Sequence, residues 1–282
     1  MYNVILENEN GEQLDLMQHK DMKCVHIEGM SSITATINET ENASIDGSTI
    51  NSERIDSRPI NLTVRILDNF GDCRALIYKH AVIKKKVKLT LVNNIRSVYI
   101  EGKVKNIDGD PFTQNQQMVI TILCPEPYFN ELMGIEEEFS NIIKMLHFPL
   151  AIEAKGIPFG VITDIKQIEI VNIGEADTGL EFTLRALGEV ENPRLVNMKT
   201  GKYLALEYTM QPNEVIKIST IDKNKYVISI YHDQTTNIIG SLDLSSEWLK
   251  ANVGVSHFTY VVDRGSNYLE VSALFKNKYI GM

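Results

Sequence analysis

Three cysteines and six histidines are the residues of this 282-residue sequence best suited to metal binding or nucleophilic chemistry. The cysteines, Cys24, Cys73 and Cys124, are roughly fifty residues apart and form no CxxC pair. No histidine stands at a metal-ligand spacing from a cysteine or from another histidine. The pattern therefore predicts free thiols inside hydrophobic cores, in a reducing cytoplasm, and no metal site. The histidines are His19, His26, His80, His147, His232 and His257.

The sequence lacks the short motifs that mark common active sites. It contains no GxGxxG, GxxxxGKS/T, HExxH or GxSxG segment. The pair His232-Asp233 falls between two strand patterns and predicts a hairpin turn, while Asp108 and Asp110 supply too few oxygens for a calcium loop. Catalytic groups can converge from distant parts of a chain, so a local motif search covers only active sites that are contiguous in sequence. We expect a protein with no catalytic residues and no cofactor.

Trp248 is the only tryptophan and leaves two interpretations open. Its ring can stack on a sugar, as aromatic side chains of carbohydrate-binding sandwiches do, or it can plug the end of a sandwich. No group of sugar-binding polar residues can be assembled around it from the sequence. The structural interpretation is therefore the favoured one.

The composition is that of an ordinary soluble globular protein, with 43% hydrophobic and 23% charged residues. A formal net charge of -9 disfavours nucleic-acid binding. The lysines at 84–86 and Lys88 predict a solvated strand edge or helix end. No signal peptide and no membrane-spanning segment are visible. The length predicts two domains.

The first part of the chain has the two-residue periodicity of strands with one buried face. The pattern covers residues 62–66, 87–91 and 98–104, with Gly102 predicted to mark a bulge. Between Asp72, a predicted N-cap, and Lys84 the apolar residues recur at helical spacing. These patterns predict an N-terminal β-sandwich or barrel-like domain with one helix.

Two segments of this first part, the polar stretch 37–59 and the run 124–129, do not fit the strand pattern. A stretch this long without core residues predicts either a hairpin arm that reaches a neighbouring subunit or a mobile loop. Pro125 and Pro127 interrupt regular structure, because proline lacks an amide donor. We therefore place the domain boundary here, with domains at 1–129 and 130–282, and expect Tyr128 and Phe129 to anchor the two domains.

The spacing of apolar residues in the second part of the chain predicts a β-sandwich. Apolar residues from Ile135 to Leu146 share a helical stripe, which predicts a short helix ending before Pro149. Alternation returns afterwards and predicts further strands. These strands are centred on residues 180–186, 226–230, 258–262 and 269–275.

The run 124–129, Cys-Pro-Glu-Pro-Tyr-Phe, resembles the inter-domain signature of the distal tail protein family of long-tailed bacteriophages of Gram-positive hosts. Supporting blocks follow in the family's order, at 148–150, 156–160, 172–175, 188–197, 200–201 and 279–282. Together they cover essentially the whole chain. The junction residues are Pro125, Pro127, Tyr128 and Phe129, and the motif positions are Gly188, Asn192, Pro193, Gly201, Tyr279 and Gly281.

The resemblance implies a structural virion protein at the tail tip. Family members form a hexameric ring that joins the tail tube to the tip or baseplate proteins and leaves a channel for DNA. The resemblance implies a ring-forming N-terminal domain and an outward-facing, galectin-like C-terminal domain. Expected partners are further copies of the chain, the tail tube protein, a lysin-type tip protein and a receptor-binding protein. The alternative is a carbohydrate-binding adhesion module that recognises the host cell wall.

Overall fold

The computed structural model describes residues 2–41, 46–144 and 160–282. The chain divides into two compact units, Met1–Leu132 with Lys278–Met282, and Met133–Asn277. The first break therefore falls shortly after the sequence-predicted boundary at Phe129, and the C-terminal residues lie in the first unit instead of the second. No helix among the described residues is long and apolar enough to cross a bilayer.

The described residues form β-strands, one α-helix and two short 3-10 turns. The first unit begins with β1 (Asn3–Asn8), β2 (Gln13–Asp15), β3 (Met22–Glu28), β4 (Ala35–Glu41), β5 (Ser48–Ile55), β6 (Arg58–Ile66), α1 (Phe70–His80), β7 (Lys86–Val92), β8 (Ser97–Gly109), β9 (Gln117–Cys124) and β10 (Phe129–Glu131). The second unit contains β11 (Ile135–Glu138), β12 (Ser140–Lys144), β13 (Gly160–Asn172), β14 (Thr178–Ala186), β15 (Val190–Glu191), β16 (Arg194–Asn197), β17 (Tyr203–Ala205), β18 (Thr209–Met210), β19 (Val215–Ser219), β20 (Tyr226–Tyr231), β21 (Gln234–Asn237), β22 (Lys250–Ala251), β23 (Gly254–Val261) and β24 (Leu269–Phe275). The last strand, β25 (Lys278–Tyr279), belongs to the first unit.

The main sheet of the first unit has the strand order β2-β1-β7-β8-β9-β6-β3. Its two ends are joined through Leu16, whose N–H bonds Val4 at 2.8 Å and whose carbonyl accepts the Cys24 N–H at 2.7 Å. Alternate residues of each strand point into one hydrophobic core, as the two-residue period predicts. The sheet is thus closed on itself in the barrel-like manner that the sequence predicts.

Gly102 marks a close approach rather than the predicted bulge. A Cβ atom added there would lie 2.6 Å from Cγ2 of Ile122 and 2.7 Å from the Leu123 carbonyl oxygen. The register of β8 against β9 shifts further along, between Val104 and Asn106. Glycine is required at position 102 because β9 passes too close for a side chain, and not because of a bulge.

Helix α1 is the only α-helix among the described residues, and it confirms the helix predicted in the first domain. The prediction of Asp72 as N-cap is wrong, because the helix begins at Phe70, Asn69 with φ 51° occupies the N-cap position, and Asp72 lies in the first turn. The Cys73 N–H then donates to the Asn69 carbonyl at 3.0 Å. Cys73, Ile77 and His80 form the buried face.

Two sheets make the second unit a β-sandwich. One has the order β11-β24-β14-β19-β20-β21, with β22 beside β14, and the other has the order β12-β13-β23-β16-β17. Both contribute to one hydrophobic cluster, in which the Phe182 and Phe258 rings meet edge to face at 6.2 Å. His232 and Asp233 both have positive φ and form the predicted hairpin turn between β20 and β21.

The predicted helix from Ile135 to Leu146 is wrong. Residues Ile135–Glu138 form β11, which pairs with β24, and Ser140–Lys144 form β12, which pairs with β13. The four-residue spacing of Ile135 and Phe139 fits a strand face as well as a helix face, and the neighbouring strands provide backbone partners. Leu146, Pro149 and the motif residues 148–150 and 156–159 lie outside the described residues.

Candidate assembly surfaces

Strands β4 and β5 form an antiparallel hairpin that we call the arm. Every residue of β5 is exposed, and no residue of β4 is buried. The arm is fastened at its base, where the Thr36 hydroxyl donates to both Asp56 carboxylate oxygens at 2.8 and 2.9 Å. The described residues of the polar stretch 37–59 therefore form a hairpin arm as far as Ile55, the first of the two predicted forms, while Arg58 and Pro59 begin β6 of the main sheet.

The arm carries isoleucines beside carboxylates. Ile37 is 55% exposed and pairs with Glu53, while Ile50 is 59% exposed and pairs with Glu39. Isolated hairpins are marginally stable in water, and this one has no core residue of its own. Its surface therefore offers apolar contact area surrounded by negative charge.

A group of exposed lysines on the main sheet, the lysine patch, has the opposite charge. Backbone bonds from Lys84 to Val104 at 2.8 Å and from Val104 to Lys85 at 3.2 Å bring residues 84–86 beside residues 103–105. Lys86 lies directly opposite Lys103 in the β7–β8 ladder, an arrangement of like charges that is unfavourable by itself. Lys85 and Lys86 bond Glu9 and Glu101 at 2.7 Å. The patch consists of Lys84, Lys85, Lys86, Lys103 and Lys105.

The junction residue Phe129 lies in the first unit's core. Its ring is fully buried, and its backbone pairs with Tyr279 of β25, so two sequence-predicted positions meet. The Tyr279 ring is buried beneath the Arg96 guanidinium, 4.2 Å from the ring centroid. Pro127 is buried and Pro125 exposed. The role of Tyr128 and Phe129 as anchors between the domains stays a prediction.

Residues 278–282 form a C-terminal strap on the first unit. Lys278, which is buried, donates to Glu126 Oε1 at 2.6 Å, and its ammonium lies 5.7 Å from the Tyr128 ring centroid. A Cβ atom at Gly281 would lie 3.3 Å from Ser31 Cα, so the strap passes close to that backbone. The junction and the end of the chain are thus parts of one structure.

Arg58 is a buried cation beneath the strap that sequence reasoning missed. Its Nη2 donates to the Ile280 carbonyl, and its guanidinium carbon lies 4.9 Å from the Phe129 ring centroid. Burial lowers the pKa of Arg58, and burial raises the pKa of the neighbouring Cys124 to about 12, so this thiol stays protonated near neutral pH. Arg58 follows the same alternation as buried Ile60 and Leu62, which is the signal that could have found it.

The motif positions Gly188, Asn192 and Pro193 organise one corner of the sandwich. Gly188 packs against the Tyr268 ring, which lies 2.7 Å from where its Cβ would be. Asn192, with φ 48°, donates to Asp263 at 2.8 Å and accepts the Tyr208 N–H at 3.1 Å. The Pro193 carbonyl accepts from Leu206 at 3.0 Å.

Gly201 closes a separate turn between β16 and β17. It has φ 71° and donates its N–H to the Asn197 carbonyl at 2.9 Å. The buried Asn197 side chain accepts the N–H groups of Lys199 and Thr200 at 3.0 and 3.1 Å. These motif residues therefore hold turns in place.

Comparison with known proteins shows what this chain is similar to. Residues 173–279 match the model of the family described as siphovirus-type tail component, C-terminal domain. The resemblance to the distal tail protein family is confirmed. The match covers most of the second unit. No curated protein matches the sequence.

The distal tail protein fold extends over the whole chain. The crystal structure of the phage SPP1 Dit protein, described as a paradigm of the hub adsorption apparatus in phages that infect Gram-positive bacteria, is similar with TM-score 0.69 and 12% identity over 99% of each chain. Chains of the phage P2 baseplate in its activated conformation are similar over 100% of both chains. The structure with Ca gives TM-score 0.56 at 11% identity, and that with Sr gives 0.53 at 10%. At these identities the similarity shows a common fold.

Proposed function

We propose that the protein is a structural subunit of a phage tail hub. Copies form a hexameric ring at the distal end of the tail, between the tail tube and the tip or baseplate proteins, and the ring leaves a channel for DNA. The observation that carries the proposal is the similarity to the SPP1 hub protein over 99% of each chain. In this proposal the protein lies in the virion tail and has no catalytic activity.

The first unit builds the ring in this proposal, and the second projects outward as a galectin-like domain. The arm supports this assignment, because an exposed hairpin with isoleucines at its surface gains stability when a partner covers it. A second copy of the chain is the partner that a homo-oligomeric ring supplies. The outward domain then contacts tip, lysin-type or receptor-binding proteins.

Charge selects where the arm docks. Glu39 and Glu53 flank the arm's isoleucines, while Lys84, Lys103 and Lys105 form no ion pair with any described residue. A lysine offers an ammonium group and an apolar stem, which complement a carboxylate beside an isoleucine. The arm of one subunit therefore lies on the lysine patch of the next, a head-to-tail contact of the kind that closes rings.

Charge reversal tests the contact. Glu39→Lys with Glu53→Lys, and separately Lys103→Glu with Lys105→Glu, should each abolish rings seen by mass photometry and negative-stain microscopy. An equimolar mixture should restore them, because every contact in an alternating ring is then complementary. Lys199→Glu, at an exposed lysine of the second unit, is the matched control and should leave rings intact.

The outcomes separate the two parts of the proposal. If wild-type protein forms rings and both reversed variants also do so, the arm contact is wrong and the hub stands. If wild-type protein forms no ring, alone or co-expressed with its tip protein, the hub proposal fails.

The carbohydrate-binding alternative gains no support at Trp248. The indole is half-buried, packs against the second core and has the Lys225 ammonium 5.4 Å from its ring. This placement fits the structural interpretation, in which the Trp248 ring plugs the end of the sandwich. We therefore do not propose a sugar site there.

A further inference from the structure

Three potential metal ligands cluster where α1 meets the connection between β2 and β3. His19, Asp21 and Cys73 each offer a ligand atom, and these atoms all lie within 4.8 Å of one another. In a tetrahedral zinc site with bonds of about 2.0–2.3 Å, ligand atoms are separated by roughly 3.3–3.8 Å. Small side-chain rotations therefore suffice to bring the three atoms around one ion.

The backbone fixes the two segments that supply these ligands. The Asp21 carbonyl accepts the Leu67 N–H at 2.7 Å, which ties the first segment to the approach of α1. The Asp21 N–H donates to His19 Nδ1 at 3.2 Å and holds the ring beside the carboxylate. Cys73 Sγ lies 3.7 Å from the Asp21 carbonyl oxygen. The cluster is thus held together before any ion binds.

The surroundings of the cluster favour a cation. The carboxylates of Asp21, Asp68 and Asp72 lie near the Cys73 thiol and supply negative charge there. The opposing charge is Lys20, whose ammonium lies 3.6 Å from Asp21. His19 and Asp21 are half-exposed, which provides an entry path from solvent.

We propose that His19, Asp21 and Cys73 bind one zinc ion, with water as a further ligand. A thiolate and an imidazole select zinc over magnesium or calcium, which prefer oxygen ligands. On binding, the Cys73 S–H bond breaks, its proton passes to solvent, and the sulfur electron pair forms the bond to zinc without any redox change. The ion then joins α1 to the β2–β3 connection. No spacing motif signals the cluster, because Asp21 and Cys73 come from segments far apart in the chain.

Zinc content of the untagged full chain tests the proposal. Reduced protein is loaded with zinc, washed against a weak chelator and analysed by native mass spectrometry. We expect one zinc ion per wild-type chain. Protein loaded with calcium instead of zinc should retain no metal ion. His19→Gln and Cys73→Ala should weaken zinc binding by at least the roughly 10- to 100-fold that loss of an outer-shell partner costs a metal site.

Matched controls come from the same unit. His26→Gln replaces an exposed histidine and Cys24→Ala a buried thiol, and both should retain zinc. If Cys73→Ala does not fold, His19→Gln decides, because the His19 side chain is half-exposed. Absence of zinc from wild-type protein, or equal zinc in the His19→Gln and His26→Gln variants, would overturn the proposal.

Discussion

The arm and the β14–β24 ladder are two antiparallel ladders of equal length that differ in what covers them. Among the described residues each has seven residue pairs in register. Every residue of β5 is exposed, whereas β14 and β24 bury alternate residues in the second core. Both ladders pair seven residues, although the arm has a register shift between Asn38 and Glu39, and only the β14–β24 ladder removes apolar side chains from water.

The difference shows where each ladder obtains its stability. Burial of apolar surface is the dominant favourable contribution to folding, and net hydrogen bonding contributes far less per group. The β14–β24 ladder is therefore stabilised within one chain. The arm lacks that contribution in an isolated chain, so its residue types make sense for a surface covered by a neighbouring subunit. Substitutions in the two ladders and in the buried network of the second unit test this difference.

Phe182→Ala should have the largest effect, a loss of about 3–5 kcal/mol in the free energy of unfolding. The Phe182 side chain is fully buried in β14 and meets Phe258, so truncation leaves a cavity between the sheets. Urea unfolding followed by circular dichroism measures the loss. Phe112→Ala is the matched control, because that ring is 96% exposed. A loss below about 1 kcal/mol at Phe182 would mean that the core repacks around the gap.

Glu214→Gln should cost about 1–3 kcal/mol, because it places an amide donor where the carboxylate accepts hydrogen bonds. Glu214 is only 1% exposed and accepts from the Tyr208 hydroxyl and the Gln211 N–H at 2.8 Å, and from Ser229. The same urea experiment applies. Glu207→Gln, at an exposed position, should change stability by less than about 0.5 kcal/mol. Equal effects at both sites would show that the buried network contributes nothing.

Two-residue alternation predicted the buried ladder, since Leu180, Phe182 and Leu184 all point into the core. At β20 the alternation of Tyr226, Ile228 and Ile230 predicts the wrong buried face, because Val227 and Ser229 are buried while Ile228 is half-buried. Every position of that strand except Ser229 is occupied by an isoleucine, valine or tyrosine, so both faces suit a sheet. Which face of β20 is buried depends on the elements that pack against it. The sequence of one strand does not reveal those elements.

Assembly surfaces were predicted only where they are local. The composition of the polar stretch 37–59 predicts an arm or a mobile loop but does not distinguish the two. Pairing of Phe129 with Tyr279 joins residues far apart in the chain, so their common location needed the fold. Arg58 had a local signal, a charge at an inward position, but its partner Ile280 did not.

Thr36→Val should cost about 0.5–1.5 kcal/mol in the local stability of the arm, since it removes the hydroxyl that bonds Asp56 at the base. The effect should be seen as faster tryptic cleavage after Arg54, whose side chain is 76% exposed, with little change in global unfolding. Thr49→Val serves as the control, because Thr49 is exposed and lies away from the base. Equal cleavage rates in the two variants would show that the hydrogen bond from Thr36 to Asp56 does not stabilise the arm.

Ile50→Ala should have the smallest effect on the isolated chain, less than about 0.5 kcal/mol, because the side chain is 59% exposed. Ile218→Ala makes the same change at a buried isoleucine of β19 and should cost about 2–5 kcal/mol. For assembly of the proposed ring the order should reverse, since in that proposal Ile50 becomes buried only when a neighbouring subunit covers the arm. Urea unfolding and mass photometry of both variants measure the two effects. A loss at Ile50 as large as that at Ile218 in the isolated chain would mean that the arm is already covered within one chain.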